Sequence, residues 1–183
     1  MKRLMLKSIA AAVAVAAFGV ASAQDIKERT IKFAHQNPVG HPIVMGMEKF
    51  ASLVAAKSGG KIKVNLFPAG VLGGDAPNVS ALQGGTIEMV SLNSGILASQ
   101  VKEFALYDFP FLFANAKEAD AVVDGPFGKK MHDKLQEKGI VGLAYWELGF
   151  RNMTNSKRAI TKVEDLAGLK IRVIPNPINL DWV

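Results

Sequence analysis

The chain contains no cysteine in its 183 residues. Disulfides, thiolate nucleophiles and cysteine-bound metals are therefore excluded. Histidine is scarce: His35, His41 and His132 are the three present, and none forms a His-x-x-x-His pair for zinc. The glycines Gly70-Val71-Leu72-Gly73-Gly74 lack the spacing of a dinucleotide-binding loop. Neither a P-loop nor a Gly-x-Ser-x-Gly elbow occurs. The reading implies no cofactor and disfavours an enzyme. One catalytic alternative stays open, a secreted α/β hydrolytic enzyme using Glu147 beside Trp146 with His35 or His41.

Long apolar runs are also missing, with one exception at the start. Lys2, Arg3 and Lys7 precede a continuous small apolar run from Ile9 to Val20, and Ala21-Ser22-Ala23 follows. That order is the grammar of a secretory signal, with cleavage expected after Ala23. The run is too short to span a bilayer, which takes about 20 residues. A periplasmic location is expected, with no membrane span once the signal is removed. Removing residues 1–23 leaves 160 of the 183 and lowers the formal charge from +6 to +3. The remaining cations are interspersed with acids, so no basic stripe offers itself to nucleic acid.

What is present is an alternation of strand-like and helix-like segments. Thr30–Ala34 reads as a first strand, and Ile43, Met47, Phe50 and Val54 recur at helical spacing up to Gly59-Gly60. Lys61–Leu66 alternates polar with apolar residues as a second strand. A helix through Val79 and Leu82 stops at Gly84-Gly85, and Thr86–Leu92 reads as a third strand. Asn115 and Glu118 have capping-box spacing before a helix, and another helix runs from Phe127 to Leu135. Ile140–Trp146 and Leu169–Val173 read as buried strands, and a last helix begins near Asn179. The rhythm predicts an α/β fold, a mostly parallel sheet with helices on both faces. The aromatic run Tyr107, Phe109, Phe111, Phe113 reads as core.

Two arginines stand out. Arg172 lies inside the last predicted strand, and Arg151 follows the apolar run ending at Trp146. A permanent guanidinium in a covered strand needs a partner, and its planar fork matches a carboxylate. The alternatives are an ion pair of Arg172 with Asp165 or Glu164, and a surface pair for Arg151. Gln36 follows the first strand and Asn93 the third, where open α/β sheets gather ligands, though turn chemistry explains such residues equally well. His35 and His41 read first as surface or turn residues.

With these residues in view, the chain resembles the substrate-binding proteins of tripartite ATP-independent periplasmic (TRAP) transporters, of the dicarboxylate-binding, DctP type. The matching stretches are Gly60–Val64 with Phe67–Gly70 and Leu72-Gly73, Leu82–Glu88, Asp108–Phe113, Gly149–Arg151, and Asp165–Val173. The resemblance implies a periplasmic-binding-protein-like fold of two lobes that close on a small organic acid, delivered to membrane permease subunits. It implies that Arg172 makes the main salt bridge to the ligand carboxylate, that Arg151 assists, and that Gln36 and Asn93 stand at variable polar contacts. Ile174 stands where many members have proline, with Pro175 following. Members of that family are roughly twice as long. Residues 24–148 are therefore expected to form the first lobe and 149–183 the start of a second, incomplete lobe. Such a truncated copy is expected to bind weakly alone, and a non-functional gene fragment is the remaining alternative.

Overall fold

Residues 26–181 are described by a computed structural model of the chain. The expected signal segment, residues 1–23 with its cleavage point, lies outside them. Strand β1 (Arg29–Ala34) runs from an exposed start into the interior, ending at Phe33 and Ala34, both buried. Strand β2 (Ile62–Phe67) pairs with it in parallel, Arg29 opposite Ile62 and Ala34 opposite Phe67. Strand β3 (Met89–Val90) pairs in parallel with Phe33 and Ala34 on the other side, so the order is β2-β1-β3. The sheet is parallel throughout the described residues, as the alternation predicted.

Helix α1 (Pro42–Lys57) connects β1 to β2. Pro42 opens it, where a missing N–H costs nothing, and His41 caps it by accepting the Ile43 N–H at Nδ1, 3.2 Å away. Ile43, Val44 and Met47 face the sheet and form a first core with Phe33, edged by Phe50, Val64, Leu66 and Met89. Gly60, with φ of 79°, takes the left-handed turn that ends the helical region. Ser58 is buried there. Its hydroxyl donates to Ala55 O at 3.2 Å and accepts the Ile62 N–H at 3.0 Å, joining the helix end to the start of β2.

A second core lies beyond β3. Helix α2 (Asp75–Gln83) contributes Val79. Two 3₁₀ helices, Ser94–Ser99 and Lys102–Asp108, contribute Ile96 and Phe104. After helix α3 (Ala116–Val123), helix α4 (Pro126–Gln136) adds Met131 and Leu135. Ile140, at the start of one segment read as a later strand, and Ile174, just past the other, complete this core. A third short 3₁₀ helix (Val163–Leu166) and helix α5 (Pro177–Asp181) lie in the last part of the chain.

Three expectations are corrected. Ile140–Trp146 and Leu169–Val173 are not strands: neither finds a ladder partner among the described residues. The first is anchored by Ile140 and the second by Ile174, one residue past its end, while Val141 and Leu143 stay exposed. An apolar run shows that a segment wants cover, not that a neighbouring strand supplies it. The third strand shrinks from 86–92 to Met89–Val90, because only the last two residues of β1 face it. The aromatic run is not core after Tyr107: Phe109 and Phe111 are exposed, and Phe111 (φ 59°) turns the chain outward after Pro110.

Candidate functional site

The carboxyl ends of β1 and β3 open onto a wide hollow of about 2210 Å³. One wall is built from the sheet: His35 follows β1, and Ser91, Asn93 and Ser94 follow β3. The opposite wall is the unladdered chain around Trp146–Arg151 and Leu169–Val173, including both arginines. Trp146 pins the first of these segments to the sheet layer. Its ring sits 6.3 Å from that of Phe33 and lies against Gly46 of α1. The second segment is fixed through Asn176, whose side-chain amide donates to Asp108 Oδ2 and whose Oδ1 caps the Asn179 N–H at 3.0 Å. Gly95 permits that contact, since a Cβ there would lie 1.7 Å from the Asp108 carboxylate.

Arg172 and Arg151 are both exposed, both line the hollow, and neither forms a salt bridge within the described residues. Of the two ion-pair partners that sequence offered Arg172, Asp165 is occupied elsewhere, and Glu164 forms no salt bridge with Arg172 among the described residues. Asp165 accepts the Thr161 N–H at 2.9 Å, the Thr161 hydroxyl at 3.0 Å and the Lys162 N–H at 3.2 Å. Those donors hold its carboxyl below the ordinary range. Asn93 lines the hollow, but its Oδ1 also accepts the Gly95 N–H at 3.0 Å, so it serves as the cap of the first 3₁₀ helix. Gln36 does not line the hollow. Its amide donates to Gly73 O at 2.8 Å and secures the loop before α2.

His41 has the turn role expected of it. His35 does not: it is buried, and its Nδ1 donates to Ser91 O at 2.8 Å. A carbonyl only accepts, so the proton is on Nδ1 and Nε2 is a bare acceptor in the neutral ring. That Nε2 is buried without a hydrogen-bond partner. Asp75, at the start of α2, was missed at the level of sequence. Its Oδ1 is also buried and unpartnered. Burial raises its pKa, opposed by coulombic interaction with His35 and then Arg172, so each of those two lies within electrostatic reach of Asp75. The signal available was an acid directly after Gly73-Gly74 at a helix start, too common a pattern to single out.

Farther along the hollow the wall is aromatic. The Tyr145 hydroxyl lies 3.1 Å from that of Tyr107 and donates to Gly128 O at 3.3 Å, while His132 stacks on the Tyr145 ring at 4.4 Å. Burial raises both tyrosine pKa values and lowers that of His132, so it favours the uncharged form of all three side chains. Among the described residues no group of three or more acids and histidines is placed to hold a metal ion.

The family described as bacterial extracellular solute-binding protein, family 7 (DctP), matches residues 33–183. The chain belongs to that family. A TRAP periplasmic solute-binding protein from Ochrobactrum anthropi, solved with the C-terminus bound in the ligand-binding pocket, is 56% identical. It superimposes with a TM-score of 0.74 over 83% of this chain and 48% of that one. The sugar-acid-binding protein DctPAm of Advenella mimigardefordensis, solved with galactonate, is 44% identical, with a TM-score of 0.83 over 85% of this chain and 50% of that one. The 2,3-diketo-L-gulonate-binding periplasmic protein YiaO of Escherichia coli is 32% identical over 177 residues, 97% of this chain and 54% of that protein. This family-7 chain thus spans about half the length of the relatives it matches. The family consists of binding proteins rather than enzymes, and the hydrolase alternative finds no support. Glu147, its intended acid, is exposed.

Proposed function

We propose that this family-7 chain captures a small organic acid in the periplasm for a TRAP-type transporter, and that Arg172 and Arg151 hold the carboxylate. One observation carries the reading: two guanidinium groups that form no salt bridge among the described residues line one hollow beyond the carboxyl ends of a parallel sheet. The relatives solved or named with galactonate and 2,3-diketo-L-gulonate support sugar acids as the ligand class. The proposed route to the periplasm is the N-terminal signal, with cleavage after Ala23. The proposed partners are the acid and the membrane permease subunits. Residues 24–148 and 149–183 are read as one lobe and the beginning of another.

The energetics set the expected affinity of this chain. Each charge-assisted hydrogen bond contributes about 1.5–3 kcal/mol net when shielded from water. On an open, one-sided wall each such pair is worth about 1 kcal/mol or less, so the two arginines by themselves leave the Kd at about 1 mM or weaker. Titration calorimetry with D-galactonate tests this. Arg172→Lys keeps the charge, loses the planar fork, and is expected to weaken binding several-fold. Unchanged affinity in that variant removes Arg172 from the role. A Kd in the nanomolar range for the unmodified chain refutes the one-sided site.

A further inference from the structure

We propose that His35 reads a hydroxyl group of the ligand, accepting its hydrogen bond at Nε2 and so favouring hydroxylated acids over acids that carry no hydroxyl. The inference rests on carboxylate capture by the arginines and names what the sheet-side wall adds to it. His35 is 6% exposed, lines the hollow, and is held rigidly by its Nδ1 bond to Ser91 O. In the neutral ring that bond fixes the tautomer and leaves Nε2 as an acceptor with no donor among the described residues. A carboxylate oxygen only accepts, so it gains nothing there. A hydroxyl has the proton that is missing.

A second acceptor is also orphaned. Asp75 Oδ1 is buried, unpartnered and electrostatically coupled to both His35 and Arg172. Asp75 does not line the hollow, so at the hollow's sheet end Arg172 and the orphaned His35 acceptor are the two groups a ligand can meet. A molecule with a carboxylate at one point and hydroxyls beside it supplies what both lack. Buried polar groups left unpaired are what makes a site reject an analogue without the matching hydroxyl.

Two acids of equal carbon number separate the contributions: D-galactonate, which is polyhydroxylated, and hexanoate, which is not. Binding of each to the full chain is followed by nitrogen-15 resonances of the histidine rings, a readout that tolerates millimolar affinity. D-galactonate is expected to shift the His35 Nε2 resonance and to bind about tenfold tighter than hexanoate. His35→Asn places an amide nitrogen near the Nδ1 position, keeps the donation to Ser91 O, and deletes the Nε2 acceptor. It is expected to bring the two acids within about twofold while hexanoate affinity stays the same. His35→Gln, with an amide oxygen near the Nε2 position, is expected to keep part of the preference. If D-galactonate binds without moving the His35 resonance, or the preference survives in the Asn variant, His35 is not the hydroxyl reader and carboxylate capture stands. If the Asn variant weakens both acids equally, the same conclusion follows. If neither acid binds the unmodified chain, carboxylate capture fails and this inference fails with it. Should the Asn variant not fold, the resonance shift in the unmodified chain and the Gln variant decide.

Discussion

Asp75 sits where burial and charge pull in opposite directions, and burial wins: its pKa is raised despite His35 and Arg172 nearby. The sign of the pH dependence follows. A carboxyl with a folded pKa above its unfolded value favours folding fully below the unfolded pKa, near 3.9, and loses that contribution as pH rises through the raised folded value. At neutral pH the ionised group is therefore a burden on the fold. Asp75→Asn is expected to raise Tm at pH 7, with the gain vanishing toward pH 3.5, as followed by calorimetric melts across that range. A lower Tm at pH 7 refutes the account. At this scale the sequence was a mixed guide. Arg172 and Arg151 were legible because a fixed charge beside an apolar run is conspicuous. Gln36 was ambiguous, and only its bond to Gly73 O, 37 residues away, shows where the amide is spent.

Local elements were legible because their causes lie within a few residues. Asn115 caps α3, accepting the Glu118 N–H at 3.0 Å, and Glu118 reaches back to the Ala114 N–H at 2.9 Å, one residue before the cap. The spacing predicted the helix start, although the return bond lands beside the expected donor. The α1–β2 junction depends on one hydroxyl. Ser58→Ala removes the acceptor of the Ile62 N–H from a buried position and is expected to cost about 1–3 kcal/mol. Urea unfolding measures this, and a change under about 0.5 kcal/mol shows that water replaces the hydroxyl without penalty. Elements whose existence depends on a neighbour were the ones misread. Ile140–Trp146 and Leu169–Val173 have strand-like patterns and no ladder among the described residues.

Across the molecule, two cores divide the labour. The first, beneath α1, holds the sheet, and the second holds the walls of the hollow. Phe104 is 1% exposed at the centre of the second core, with Ile140 and Ile174 in the same cluster. These two residues anchor the segments that bear Arg151 and Arg172. Phe104→Ala is expected to destabilise by about 3–5 kcal/mol through lost burial and an unfilled cavity. It is also expected to weaken D-galactonate binding, although Phe104 makes no polar contact, because the arginine-bearing walls loosen. Chemical unfolding and calorimetry on the same variant check both. Full stability in that variant would show that the second core collapses around the gap.

By itself the sequence determined what short-range physics and composition decide: parallel β1 and β2 with α1 between them, the Asn115 cap, the absence of cysteine chemistry, and membership of a solute-binding family. The tertiary structure decided which polar atoms are left without partners. His35 meets Ser91 across 56 residues, and Asp75 meets His35 and Arg172 only once β1, α2 and the late chain are packed together. Whether a buried nitrogen is satisfied is a property of all the groups that surround it, and those groups come from distant parts of the chain.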